Sequence, residues 1–173
     1  MKTNKYTASP DLIDRICQQW ESACPQLDTS ALGTIGRILR IESLAAAPIR
    51  KTLTQYGLDR SGLDVLATLR RVGPPFEATP TLLYKSLALT SGAITNRIDS
   101  LERAGLVQRH AASEDRRSQC VRLTDKGKQL IDEAFAKHLE TEASMVAHLS
   151  AAERQTLEEL LRKILLRLEE PND

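Results

Sequence analysis

Aromatic side chains are scarce in this sequence of 173 residues, which has two Phe, three Tyr and one Trp. Leu, Ile and Ala are plentiful instead, a balance that favours helix-on-helix packing over a β-sandwich. Cysteine is scarce too. Cys17, Cys24 and Cys120 are an odd number without metal-type spacing, which excludes a disulfide framework and points to a reduced, cytoplasmic setting. No apolar run at the N-terminus could act as a signal peptide, nothing approaches a membrane span, and no membrane partner is expected. His110, His138 and His148 are scattered without metal-ligand spacing, and there is neither a Gly-rich phosphate loop nor a nucleophile elbow. No catalytic residue, metal or cofactor is therefore expected, and His138 and His148 read as ordinary polar positions.

What is present is an uneven distribution of charge. The net charge of +1 hides a basic middle and an acidic tail. Residues 85–128 carry nine Lys/Arg against five Asp/Glu, and residues 129–173 carry five against ten. One region is thus suited to a polyanion and the other is not.

The apolar periodicity is helical through most of the chain. Ser9-Pro10-Asp11 predicts a helix start, with Leu12, Ile13, Ile16 and Trp20 at helical spacing before Pro25. Asp28 to Ser30 predict the cap of a longer helix with Leu32, Ile35, Ile38 and Leu39 along one side, bending or breaking near Pro48. Asp59 starts a third helix with Leu63, Leu66 and Leu69 inward, closed by Gly73-Pro74-Pro75. Thr79-Pro80 opens a short helix. Thr90 caps the next, whose Ile94, Ile98 and Leu101 form its buried stripe and whose end is marked by Gly105. Two strands follow, Leu106 to Arg109 and Cys120 to Leu123, flanking a charged loop from His110 to Gln119. Thr124 and Ser150 start the last two helices. The stripe Leu157, Leu160, Leu161, Ile164, Leu165 and Leu168 is too wide for a lone surface helix and suits burial against a partner.

Two short helices joined by a tight turn and followed by a hairpin with a charged tip make a winged helix-turn-helix, in a fold that is mainly α with a small β-wing. The helix from Thr90 to Ala104 is the recognition helix. Its outward stripe is Gly92, Asn96, Asp99 and Arg103, flanked by Thr95. Small polar residues near its start, Ser91 among them, let backbone approach a groove, and Asn96 can pair with an adenine edge. Taken alone, the same stripe also describes a solvated helix face. The wing shifts the balance toward duplex DNA as the partner: Asp115-Arg116-Arg117 sits at the hairpin tip, where Arg117 can enter a narrow minor groove and Asp115 can hold a guanidinium.

Asp115-Arg116-Arg117 together with Val121-Arg122-Leu123-Thr124-Asp125-Lys126-Gly127 resembles the wing signature of the MarR family of bacterial regulators, and the resemblance runs from about residue 30 to 168. It implies an obligate homodimer built from the first and last helices. Such a dimer reads a pseudo-palindromic operator, most often as a repressor, with recognition helices roughly 34 Å apart. The implied organisation is an added N-terminal helix and a dimerisation helix over residues 1–56, a winged lobe over 57–128 and dimerisation helices over 129–173.

A narrower resemblance lies in the added helix, in Leu63-Asp64-Val65-Leu66-Ala67-Thr68-Leu69-Arg70-Arg71, and in Gln19-Trp20, Asp28, Thr34-Ile35-Gly36-Arg37 and Gly73-Pro74-Pro75. These look like the urate-responsive branch of the family. That likeness implies four effector-binding residues, Trp20, Asp64, Arg71 and Arg97. Spacing is compatible with it, because Asp64 and Arg71 are two turns apart on one helix face, about 10.5 Å along the axis. A flat anion would stack on Trp20, be neutralised by the arginines, and meet Asp64 as an acceptor or as the group that orients Arg71 or Arg97. Drawing Arg97 inward would turn the recognition helix and release DNA.

Bland alternatives stand beside these. Trp20 can be a core contact, Asp64 and Arg71 part of a structural ion-pair set, and Arg97 a phosphate contact. Indole-acetate, a hydroxycinnamate or salicylate would suit a similar pocket. A redox-sensing regulator using Cys17 or Cys24 is the rival from another class, although buried structural cysteine is the reading preferred here.

Overall fold

The computed structural model describes residues 9–87, 91–111 and 119–170. The chain forms two compact units, Met1–Pro48 and Ile49–Asp173. Among the described residues no helix is long and apolar enough to cross a membrane.

The first unit holds α1 (Leu12–Ala23) and most of α2 (Ser30–Thr54). The expected start at Ser9 is corrected, because Asp11 is the N-cap of α1. Its carboxylate accepts the Asp14 N–H at 2.9 Å while the Asp14 carboxylate accepts the Asp11 N–H at 2.9 Å, so two orphan donors are satisfied reciprocally. Arg37 of α2 reaches both carboxylates, with Nε 2.8 Å from Asp11 and Nη2 2.5 Å from Asp14. Ile13 is the buried residue of α1 and packs on Gly36, where a Cβ would meet the Ile13 methyls at 3.3 Å. α2 stays helical through Pro48, although the ring removes one backbone donor there.

The second unit is organised round the helix α3 (Arg60–Arg71), α4 (Pro80–Leu87), α5 (Ser91–Arg103) and α6 (Asp125–Val146). Leu63, Leu66, Leu69, Ile94 and Ile98, read as inward from their spacing, lie at or below 1% exposure, and Leu53, Leu83 and Ile131 complete the core at the same level. Leu101 joins them at 4%. Gly105, at φ +70°, ends α5 in the left-handed region that suits glycine.

The sheet has three strands rather than the expected two. β1 (Glu77–Ala78), β2 (Val107–Ala111) and β3 (Gln119–Leu123) are antiparallel in the order β1-β3-β2, with Glu77 opposite Arg122 and Gln108 opposite Arg122 on the other side. β1 has only two residues, too few to show a period of two. It is delivered by Phe76 at φ +62°, whose carbonyl accepts the Leu123 N–H at 3.0 Å. The expected wing loop is shorter than its assigned span, since His110 and Ala111 belong to β2 and Gln119 to β3.

α6 is capped by the Thr124 hydroxyl, which accepts the Gly127 N–H at 3.0 Å. The last helix, α7 (Ala151–Glu169), is capped by Ser150 in a reciprocal box with Glu153. No residue of α7 is buried on the single chain. His138 corrects its reading as an ordinary polar position. It is 4% exposed within α6, with Nε2 3.0 Å from Glu142 and Nδ1 buried without a hydrogen-bond partner.

Candidate DNA-binding helix and effector cavity

Helix α5 presents two faces that its sequence period dictates. Ile94, Ile98 and Leu101 are buried, while Gly92, Thr95, Asn96 and Arg103 are exposed together on the other side. Ser91 opens the helix. Arg103 leans back along it, its Nε donating to the Asp99 carbonyl at 3.3 Å. Asp99 does not share the free outward stripe expected for it. Its carboxylate and that of Glu102 grip Arg109 of β2, the Glu102 contact at 2.5 Å, and the Asp99 hydrogen bond then holds the guanidinium pKa above its ordinary value. This clamp fixes the wing strand to the end of α5. Asp115, Arg116 and Arg117 lie outside the described residues.

Behind the helix-turn-helix is a cavity of about 540 Å³. Asp64, Thr68, Arg70 and Arg71 enter it from α3, Ser86 and Leu87 from α4, and Ile131, Asp132 and Phe135 from α6. Two of the four expected effector residues, Asp64 and Arg71, are thus on one wall. Arg71 is exposed and donates to the Thr68 hydroxyl at 3.3 Å, whereas Asp64 faces Arg60, with Nε 3.3 Å from Oδ1. Arg97 is not among the lining residues. It leaves α5 toward the start of α3, where Nη2 lies 2.7 Å from Asp59 Oδ2. Trp20 belongs to the first unit, on α1, 46% exposed beside Gln19 and Ala23.

Four lining or neighbouring groups were not anticipated in these roles. Arg70 crosses from α3 to α6 and grips both oxygens of Asp132, at 2.7 and 3.4 Å, while its guanidinium lies 5.1 Å from the Phe76 ring centre. Asp59 was legible only as a helix start. Arg60 was legible in principle, since Arg60 and Asp64 are i and i+4. Phe135, 39% exposed, supplies an aromatic wall that periodicity alone assigned to nothing. Among the described residues no cluster of three or more His, Cys, Asp or Glu could hold a metal ion. The three thiols are unpaired, Cys120 buried and Cys17 and Cys24 half-buried.

Residues 56–118, which span α3 to β2, match the family model described as MarR family. The HTH-type transcriptional regulator PecS of Dickeya dadantii is 34% identical over 152 residues, covering 88% of this chain and 92% of PecS. Among solved structures, wild-type MarR from E. coli in its apo form superposes with a TM-score of 0.63 at 26% identity, over 75% of this chain and 96% of that one. A probable transcriptional regulator from Pseudomonas aeruginosa gives 0.66 at 27%, over 76% and 96%. The chain belongs to the MarR family: it is a DNA-binding transcription regulator and not an enzyme.

Proposed function

We propose that the protein is a ligand-responsive repressor that binds a pseudo-palindromic operator as a homodimer and is released by a small planar aromatic anion such as urate. The observation that carries the effector reading is the single cavity shared by Asp64 and Arg71, between α3 and the apolar walls Leu87, Ile131 and Phe135. A concave site of this size, mostly apolar with a few placed polar groups, suits a flat heterocycle with one negative charge. Trp20 joins the set through resemblance to the urate-responsive branch, and Arg97 is the member that rides on the recognition helix.

In this reading residues 57–128 form the DNA lobe, with Ser91, Thr95, Asn96 and Arg103 toward the major groove and Asp115, Arg116 and Arg117 at the wing. Residues 1–56 and 129–173 supply the added helix and the dimer contacts. The apolar stripe of α7 supports the dimer: Leu157, Leu160, Leu161, Leu165 and Leu168 are between 39% and 76% exposed on the single chain. Burying one such side chain is worth about 1.5–3 kcal/mol.

Taking operator occupancy from mostly bound to mostly free requires roughly 5 kcal/mol of differential affinity, which two effector molecules per dimer can supply. The test is a titration of urate, indole-acetate, a hydroxycinnamate and salicylate against the protein on its labelled upstream DNA, with Trp20 fluorescence followed in parallel. The proposal expects urate to release the DNA and quench Trp20. Silence of both signals across the panel refutes the effector; release by a phenolic acid but not by urate transfers the pocket to that ligand.

A further inference from the structure

The start of α3 carries two adjacent opposite charges, Asp59 and Arg60, and each already holds a member of the proposed effector set. Asp59 uses both carboxylate oxygens. Oδ1 accepts the Gly62 N–H at 2.8 Å and caps α3, while Oδ2 accepts Arg97 Nη2 at 2.7 Å. Next to it, Arg60 Nε lies 3.3 Å from Asp64 Oδ1. Arg97 is therefore tied to the beginning of α3, apart from the cavity that Asp64 and Arg71 line. The capping bond fixes the Asp59 side chain, so the acceptor that Arg97 meets is preformed.

Resting on the effector reading above, we infer that Asp59 and Arg60 are positioning residues of the switch: with no effector bound they hold Arg97 and Asp64, and an anion must take Arg97 from Asp59 to move the recognition helix. The chemistry is a competition between two anions for one guanidinium. Arg97 has donors enough for both, but it is seated on Asp59 and absent from the cavity lining, so meeting an anion there requires its side chain to change direction. The contact is modest by design. Arg97 and Asp59 side chains are 30% and 55% exposed, and an exposed pair of this kind is worth at most about a fivefold change in an equilibrium constant. It therefore sets the effector threshold without locking the protein.

The test uses the full chain and urate. Asp59→Asn removes the charge and keeps a cap acceptor of equal quality. Its expected behaviour is an unchanged melting temperature, operator affinity within about twofold of wild type without urate, and half-maximal release at about two- to fivefold less urate. Arg60→Gln moves the threshold the same way by a smaller factor. If Asp59→Asn melts early, Asp59→Ser provides a second uncharged cap for the same measurement. A merely structural role predicts the opposite sign, weaker urate binding together with a lower melting temperature. A wild type that answers to urate while the Asn and Ser variants share its threshold, or need more urate, overturns the clamp alone. A wild type that ignores urate removes the effector reading, and the clamp falls with it.

Discussion

The Leu106 carbonyl oxygen lies 1.9 Å from the point where a Cβ on Gly127 would stand, so the first turn of α6 is seated directly on the backbone that leads into β2. Three bonds tie the same junction. Thr124 Oγ1 donates to the Gly105 carbonyl at 2.8 Å, Lys126 Nζ to the Ala104 carbonyl at 2.8 Å, and Thr124 N–H to Leu106 at 3.1 Å. The Thr-Asp-Lys-Gly run that marks the wing in the sequence thus has a mechanical role: it docks α6 against the end of α5. Gly127→Ala should destabilise the fold by about 1–3 kcal/mol, because a backbone carbonyl cannot yield as a flexible side chain would, and the ~1 kcal/mol gain in helix propensity offsets only part of that. Urea unfolding followed by circular dichroism measures it; a variant as stable as wild type would show that the contact relaxes freely.

Leu165, 55% exposed on the single chain, separates fold from assembly. If α7 were solvated, Leu165→Asp would leave the protein nearly unaffected. If it packs in a homodimer, the same change buries a charge at the interface and should shift the mass toward monomer and weaken operator binding with it. Sedimentation equilibrium distinguishes the two outcomes by mass.

Asn96 and Arg103 should fail differently. Asn96→Ala is expected to cost about 1–3 kcal/mol on the cognate operator and little on unrelated duplex, as loss of a base contact does. Arg103→Ala is expected to weaken all sequences alike and to lower the salt slope by about one, as loss of a phosphate contact does. Fluorescence anisotropy at several salt concentrations reads both quantities.

Glu77 makes the wing sheet sensitive to acid. The Arg122 guanidinium bonded to it at 2.5 and 2.7 Å holds its carboxyl below the ordinary value of 4.5, with His110 Nε2 2.9 Å away adding to the same direction. A folded-state pKa below the unfolded one gives stability that is complete above about pH 4.5 and lost as the pH falls through the folded value. Glu77→Gln should therefore be less stable than wild type near pH 7, and the gap should close progressively below about pH 4.5. Unfolding midpoints measured across that window would contradict the assignment if the gap stayed constant.

Elements with local causes were legible residue by residue. Asp59, Thr124 and Ser150 cap helices where short side-chain acceptors precede apolar periods, and Ile94, Ile98 and Leu101 are buried as their spacing of four and three requires. Asp11 was missed as a cap in favour of Ser9, though its partner Asp14 three residues on carries the signal of a reciprocal box. Of the candidate site, residue types and the helix face of Asp64 and Arg71 could be read, because i and i+7 on one helix always share a side.

Beyond the hairpin of β2 and β3, what remained for the tertiary structure was the pairing between distant segments. β1 pairs with β3 next to Phe76, whose carbonyl accepts the Leu123 N–H, and two residues carry no period to announce it. His138 is buried by the packing of α6, which a polar residue in a helical stretch does not reveal. Arg97 meets Asp59, 38 positions earlier, because the core packing of Leu63, Leu66, Ile94 and Ile98 brings the two helices together. Sequence by itself determined the helices, the inward faces of α3 and α5 and the family's wing motif, since caps and periodicity act within a few residues. Only the folded core decided which charge each arginine holds, since ion pairs between elements are set by the packing beneath them.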